Sequence, residues 1–281
     1  MKNKRLNRHV KVVCTLGPAS NTPDTIEKML AAGMDVARLN FNYGTLEEHS
    51  RLIADIRAAS QKLTLPTAIL VDLPGLKKHP NASIKQAFAP YLEFVQQQKI
   101  DYVALSFISN ARQVIELKKL LKSMCYDIPL IVKIEKAPAL EDSEAILDIA
   151  DGIMVARGDL AIQISIEKVP LAQKQLIKAA NRRGKPVITA TEMLESMVRS
   201  PTPTRAEATD VANAVLDGTD ALMLSEESAI GKYPVKTVET MDKIAREAET
   251  GYPHDDRLLQ ALHSSLPEIN DLLVVTSAAS S

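Results

Sequence analysis

The chain has 281 residues, of which 46% are hydrophobic and 25% charged, a composition that suits a large core and excludes a disordered protein. Its 34 Lys and Arg nearly balance 35 Asp and Glu, so no overall field favours nucleic acid or an anionic membrane. The two cysteines, Cys14 and Cys125, are too few for a disulfide framework and predict reduced core thiols. No apolar run approaches the ~20 residues of a membrane span, and the apolar run of the N-terminus is too short for a signal peptide. We therefore expect a cytoplasmic protein.

Short β-branched runs recur along the chain at near-regular intervals. They are HVKVVCTLG from His9, DVARLNF from Asp35, TAILVDL from Thr67, DYVALSF from Asp101, IPLIVKIE from Ile128, GIMVA from Gly152, PVITAT from Pro186 and ALMLS from Ala221. Each run is short, apolar and bounded by turn residues, which is typical of a strand buried on both faces. The sequence therefore predicts eight buried strands.

Segments with helical spacing lie between these strands, and several carry end signals. Thr22 before Pro23 predicts a helix start, and Thr204 with Glu207 predicts a capping box. Glycines at 33, 184 and 218 predict helix ends.

The alternation of strand and helix predicts an α/β fold of one domain, a (β/α)₈ TIM barrel over residues 1–250 with a short tail at 251–281. A doubly wound open sheet is the alternative, but the chain lacks the dinucleotide-binding glycine fingerprint of that class. Functional residues of a barrel lie at the carboxyl ends of its strands. We therefore expect the functional residues of this chain at the carboxyl ends of the predicted strands.

Ionisable residues end the fifth and sixth predicted strands. Lys133 and Glu135 share one face of strand five because side chains alternate with period two. Strand six runs into Arg157, Gly158 and Asp159, and Gly158 allows a ligand to approach the backbone closely. Two carboxylates on adjacent strand ends suit Mg²⁺ or Mn²⁺. The alternative is structural: the charges pair with neighbours, and Asp159 caps the following turn.

Polar residues also end other strands. Thr191 ends strand seven, where it either places a hydroxyl at the rim or caps the next helix. Arg38 and Asn40 share a face of strand two, and Asp72 ends strand three. Arg38 is either a fork for a carboxylate or phosphate group or the partner of Asp72.

Several strings together resemble the barrel domain of pyruvate kinase, in order from residue 10 to about residue 249. They are CTLGPAS from Cys14, VARLNF from Val36, KIE from Lys133, DGIMVARGDL from Asp151, KPVITATEMLESM from Lys185, PTRAEATDVANAVLDG from Pro203 and LMLSEES from Leu222. The match is long and dense, so it is far more specific than a single motif.

The resemblance implies a role for each candidate. Catalysis is assigned to Lys133, Thr191 and Arg38, substrate binding to Arg157, Gly158, Asp159 and Thr191, the divalent metal to Glu135 and Asp159, and a monovalent cation, K⁺, to Asn40, Asn42 and Asp72. Within this set Lys133 stabilises an enolate oxygen or the transferring phosphoryl group. The implied partner is a small 2-oxo acid or phosphoenolpyruvate.

The chain departs from the family where phosphate and nucleotide would bind. Between strand three and the next helix the family inserts a lid domain, and here only PGLKKHPN intervenes. Asp72 is followed by Leu73, Pro74 and Gly75 where the family reads threonine, lysine and glycine. These changes remove a hydroxyl and a positive charge.

Further departures replace family residues around the same rim. Asn42 and Tyr43 stand for a serine and a histidine, and the lost serine hydroxyl weakens the case for K⁺. Glu192 replaces a glutamine and Glu226 a glycine, so the rim gains carboxylates.

The main functional hypothesis is a metal-dependent enzyme that makes or uses the enolate of pyruvate or a related 2-oxo acid. Closure of a lid supports phosphoryl transfer, whereas a lysine and a divalent metal suffice for an enolate. One alternative is a minimal pyruvate kinase in which Lys77, Lys78 and His79 replace the lid's cations. Another alternative is a catalytically idle barrel that binds a metabolite or partner. The C-terminal tail is the sequence feature that supports this binding alternative. Lys133 as a Schiff-base amine is a further chemical alternative. Pairing into a homo-oligomer through outer helices follows from the resemblance alone, since no interface motif is visible.

Overall fold

The computed structural model describes residues 8–75, 84–124 and 127–251, and these form a closed parallel barrel. Its strands are β1 (Lys11–Thr15), β2 (Val36–Asn40), β3 (Ala68–Leu73), β4 (Tyr102–Leu105), β5 (Leu130–Ile134), β6 (Gly152–Ala156), β7 (Val187–Ala190) and β8 (Ala221–Leu224). Each strand pairs in parallel with the next, and β8 pairs with β1. The predicted (β/α)₈ barrel is confirmed, and the open sheet is wrong because β1 is hydrogen-bonded on both edges.

Helices follow the strands on the outside. They are α1 (Pro23–Ala32), α2 (Leu46–Leu63), α3 (Ile84–Gln97), α4 (Ala111–Ser123), α5 (Ala137–Glu141), α6 (Ser143–Ile149), α7 (Arg157–Ile164), α8 (Val169–Arg182), α9 (Arg205–Leu216), α10 (Glu226–Ala229) and α11 (Pro234–Thr250). Short 3₁₀ turns cover Ile166–Lys168 and Glu195–Val198. No helix among the described ranges is long and apolar enough to cross a membrane.

The predicted helix ends are confirmed. The Thr22 side chain accepts from the backbone N–H of Thr25 at the start of α1, and Thr204 and Glu207 form both halves of a capping box on α9. Gly33 closes α1 with φ 126°, a conformation that side chains other than glycine rarely adopt.

Two apolar layers hold the barrel together. One lies between the strands and the helices, and the other fills the barrel interior. The interior layer consists of Val13, Leu70, Ala104, Ile131, Met154, Ile188, Ala190, Ala221 and Met223. Above it, inward positions near the carboxyl ends carry polar side chains, so the interior changes from apolar to charged along the strands.

Part of the predicted features lies outside the described residues. This applies to Cys125, to the loop cations Lys77, Lys78 and His79, and to tail residues 252–281. Cys14 is completely buried in the core, as predicted.

Candidate active site at the barrel mouth

Asp72 lies at the centre of the polar layer and is completely buried. Its Oδ2 accepts from Arg38 Nη2 at 2.6 Å and from Nε at 3.2 Å, and Lys133 Nζ lies 3.3 Å away. Burial acts to raise the pKa of Asp72, but Lys133 and Arg38 outweigh it and hold that pKa below its ordinary value. Asp72 is therefore an anion, and of the two alternatives for Arg38, the structure has it as the partner of Asp72.

Arg38 extends this contact to β1. Its Nη1 donates to Thr15 Oγ1 at 2.7 Å, and Thr15 Oγ1 donates to the carbonyl of Leu224 at 2.8 Å. Thr15 has no place in the sequence-based candidate set. The polar layer thus links β3, β2, β1 and β8 through side-chain hydrogen bonds.

Asn40 and Asn42 form a separate local contact. Asn40 Oδ1 accepts from the backbone N–H and from Nδ2 of Asn42, both at 3.1 Å. The carboxylate of Asp72 is occupied by Arg38, Lys133 and Ser106. The assignment of Asn40, Asn42 and Asp72 to K⁺ stays a prediction.

Lys133 projects from β5 into the same layer. Its Nζ lies 2.8 Å from Ser106 Oγ, 3.2 Å from Glu135 Oε2 and 3.3 Å from Asp72 Oδ2. Burial acts to lower the pKa of Lys133, but Asp72 and Glu135 outweigh it and raise that pKa. Lys133 is therefore an ammonium ion, which disfavours the Schiff-base alternative because that chemistry needs a free amine.

Glu135 follows β5, and its side chain is buried beside Lys133. Its Oε1 accepts from the backbone N–H of Phe107, and its Oε2 forms an ion pair with Lys133 Nζ at 3.2 Å. Burial raises the pKa of Glu135 against the effect of Lys133, and the charges of Asp72 and Asp159 add to the increase. The charge of Asp159 thus reaches Glu135, and the assignment of both residues to one divalent cation stays a prediction.

These two carboxylates fit a hard divalent cation that keeps several water ligands. The supporting observation is that Oε2 of Glu135 is buried and, beyond its ion pair with Lys133, accepts no hydrogen bond from the described residues, so a divalent cation would compensate its charge further. Within the described ranges no three His, Cys, Asp or Glu residues cluster as a metal site, so the protein would supply few ligands.

Thr191 and Gly158 meet at the ends of β7 and β6. Thr191 Oγ1 accepts from the backbone N–H of Gly158 at 2.7 Å and donates to the carbonyl of Ala190 at 2.6 Å. Thr191 and Glu192 have φ of 70° and 54°, a conformation that is strained for residues with side chains. Thr191 does not cap a helix, because the following 3₁₀ turn begins only after Leu194.

Arg157 opens α7 and directs its guanidinium at β7 and α9. Its five N–H groups contact the carbonyls of Ala190 (3.2 Å) and Thr191 (2.7 Å), Gln173 Oε1 (3.2 Å), Asp210 Oδ1 (2.8 Å) and Met193 Sδ (2.7 Å). Substrate binding by Arg157 stays a prediction. Through the hydrogen bonds described above, Arg157 holds the strained end of β7 in place.

Ser106 and Phe107, which follow β4, were missed by sequence reasoning. Ser106 continues the inward alternation of Tyr102 and Ala104, so period two was a usable signal for it. Phe107 contributes its backbone N–H to Glu135 from a left-handed conformation (φ 60°) and packs its ring on Gly75. A pattern of residue types does not indicate which backbone N–H will donate a hydrogen bond.

Glu192 and Glu226, the carboxylates expected at the rim, both lie close enough to Glu195 to act on its charge. Burial raises the pKa of Glu195 to about 7, and the charges of Glu227, Glu226 and Glu192 add to the effect. Glu227 itself is buried and accepts from the backbone N–H groups of Leu194 (3.1 Å) and Ser225. This side of the mouth is acidic.

The fold and site together define an α/β barrel with a buried lysine–carboxylate centre at the carboxyl ends of its strands. Comparison with known proteins adds the family. The family model described as "Pyruvate kinase, barrel domain" matches residues 7–80 and 78–238. The chain therefore belongs to the pyruvate kinase family.

Curated relatives give the same result. Pyruvate kinase of Thermococcus litoralis is 38% identical over 85% of this chain and 69% of its own length. Pyruvate kinases of Geobacillus stearothermophilus and Bacillus licheniformis are 37% and 36% identical, over 95% and 88% of this chain but only 62% and 58% of their own lengths. The two parts of the family match meet at residues 78–80, where the sequence lacks the lid insertion.

Proposed function

We propose that the protein is a metal-dependent enzyme that forms or uses the enolate of pyruvate or a related 2-oxo acid. The observation that carries this proposal is the largely buried ammonium of Lys133, which lies 3.2 Å from the buried carboxylate of Glu135. The family relationship supports a substrate of the pyruvate or phosphoenolpyruvate type.

Glu135 and Asp159 would hold Mg²⁺ or Mn²⁺. A divalent cation bound there supplies positive charge close to the substrate oxygen. Lys133 supplies a second positive charge, and its raised pKa keeps that charge in place across the physiological pH range. A negative oxygen on the substrate is stabilised by such a preorganised charge in a site with little water.

The ends of β6 and β7 would bind the substrate carboxylate. Gly158 and Asp159 lie in the first turn of α7, whose N-terminus favours an anion. The Thr191 hydroxyl is bonded to the Gly158 N–H and so belongs to the same surface. The proposed chemistry requires that a 2-oxo acid with its carboxylate there places its carbonyl near Lys133. Decarboxylation, aldol chemistry and proton exchange all pass through the resulting enolate.

The test is exchange of the methyl protons of pyruvate with deuterium oxide, followed by ¹H NMR with Mg²⁺ and with a chelator. We expect exchange that needs Mg²⁺ and that falls to background in Glu135→Gln. The matched control is Glu141→Gln, because Glu141 is an exposed glutamate at the end of α5. Equal exchange with and without Mg²⁺, or exchange that persists in Glu135→Gln, would contradict the proposal.

A second candidate is a minimal pyruvate kinase, which the names of the relatives favour. The Lys133 centre serves phosphoryl transfer as well, since a lysine and a divalent cation neutralise the charge of the transferring group. A coupled assay with ADP, phosphoenolpyruvate, Mg²⁺ and K⁺ separates the two. Turnover within about tenfold of the typical 1–100 s⁻¹ of kinases would favour this candidate over the lead proposal. Absence of both activities would favour the idle barrel.

A further inference from the structure

Ser106 lies directly after β4, between two charged groups of the site. Ser106 is only 1% exposed to solvent. Lys133 Nζ is 2.8 Å from Ser106 Oγ, and Ser106 Oγ is 2.8 Å from Asp72 Oδ1. The hydroxyl therefore bridges the lysine of β5 and the aspartate of β3.

The chemistry of the three groups fixes the direction of both hydrogen bonds. An ammonium ion only donates, and an ionised carboxylate only accepts. Ser106 must therefore accept from Lys133 and donate its single proton to Asp72. The hydroxyl cannot rotate without losing one of these bonds, so its orientation is determined.

The nearest acceptor to Lys133 Nζ is thus a neutral hydroxyl, while the two carboxylates lie farther away at 3.2 and 3.3 Å. Without this hydroxyl, attraction between opposite charges would draw the ammonium closer to a carboxylate. A lysine bound tightly to a carboxylate has less of its charge directed at a substrate oxygen. Ser106 therefore helps to determine where the positive charge of Lys133 lies.

We propose that Ser106 is a positioning residue, which holds the ammonium of Lys133 in place by accepting one hydrogen bond from it while anchored to Asp72. The catalytic consequence rests on the proposed enolate function. The structural consequence, an ordered ammonium, does not.

The chain offers a matched control three residues away. Lys136 Nζ donates to Ser109 Oγ at 2.6 Å, so Ser109 makes the same kind of bond to a lysine outside the charged layer. Ser109→Ala removes that bond and leaves the Lys133, Asp72 and Glu135 group intact.

The first measurement is the ¹⁵N NMR signal of the lysine ammonium groups, with Lys133 assigned through its disappearance in Lys133→Arg. We expect a slowly exchanging Lys133 signal in the wild type that broadens or vanishes in Ser106→Ala, persists in Ser106→Thr and persists in Ser109→Ala. An unchanged Lys133 signal in Ser106→Ala overturns the proposal, and so does equal loss in Ser109→Ala. If Ser106→Ala does not fold, Ser106→Cys replaces it, because a thiol has similar volume but bonds weakly.

The second measurement compares deuterium exchange of pyruvate with Mn²⁺ affinity. We expect Ser106→Ala to lower the exchange rate about tenfold to a hundredfold, with Mn²⁺ affinity unchanged because Glu135 is held by Phe107. A parallel loss of Mn²⁺ binding would indicate general damage and overturn the positioning role. Absence of exchange in the wild type would refute the proposed function, and the NMR measurement would still decide the role of Ser106.

Discussion

Replacing Arg157 by methionine tests whether this residue holds the end of β7. Methionine keeps most of the apolar stem of arginine but removes every N–H donor. The change therefore separates the hydrogen bonds of Arg157 from its packing. The matched variant is Asp210→Asn, which removes the charge of the ionic partner and leaves the arginine in place.

The magnitude follows from the partners that lose a donor. Three of them are neutral oxygen acceptors: the carbonyl of Thr191, the carbonyl of Ala190 and Oε1 of Gln173. An unsatisfied buried acceptor costs roughly 1–3 kcal/mol, and water at the barrel mouth favours the lower value. We expect Arg157→Met to lower the free energy of unfolding by about 3 kcal/mol.

We expect Asp210→Asn to lower the free energy of unfolding far less than Arg157→Met does. The side chain of Asp210 is 37% exposed, and an ion pair that reaches solvent contributes at most about 1 kcal/mol. The difference in the free energy of unfolding between the two variants therefore measures the hydrogen bonds from Arg157 to the neutral acceptors rather than the ion pair.

Urea unfolding followed by circular dichroism gives both values, and the melting temperature of Arg157→Met should fall by about 6–12 °C. An Asp210→Asn cost equal to that of Arg157→Met would refute the reasoning, since the energy would then reside in the ion pair. So would a stable Arg157→Met variant whose only defect is a raised KM, which would identify Arg157 as a substrate ligand instead.

Two further predictions concern the rim. The pKa of Glu195 is about 7 in the native state, against an ordinary value of 4.5, so the native state holds a proton that the unfolded chain releases as pH rises through this window. Stability is lost over that range, and Glu195→Gln should therefore raise the melting temperature at pH 8 but hardly at pH 4; an equal gain at both pH values would contradict the assignment. Gly75→Ala should weaken Mn²⁺ binding measured by calorimetry, because a Cβ at this position collides with the Phe107 ring and displaces the N–H that holds Glu135. Unchanged Mn²⁺ affinity in folded Gly75→Ala would show that Phe107 does not position Glu135.

The eight strands were predictable because each is encoded by a short local run of apolar residues. The shared face of Lys133 and Glu135 was predictable for the same reason, since alternation along a strand depends on neighbours in the chain alone. The capping boxes and glycine ends are equally local. Their hydrogen bonds join residues within one turn.

The partners of Arg38 illustrate what local pattern leaves undecided. The sequence left open whether Arg38 binds a carboxylate or phosphate ligand or pairs with Asp72. Register decided between them, because Arg38 and Asp72 lie on neighbouring strands whose side chains enter the same buried layer. Thr15 joined the layer through the same pairing of β1 with β2.

The sequence by itself determined the barrel, its family and most of the charged residues at its mouth, since these depend on residue types and on spacing along one strand. Only the tertiary structure decided which of those residues touch. It brought Ser106 and the backbone of Phe107 to Lys133 and Glu135, and it directed Arg157 at the carbonyls of β7. The physical reason is that contacts between strands depend on barrel closure and register, which bring together groups about 30 positions apart along the chain.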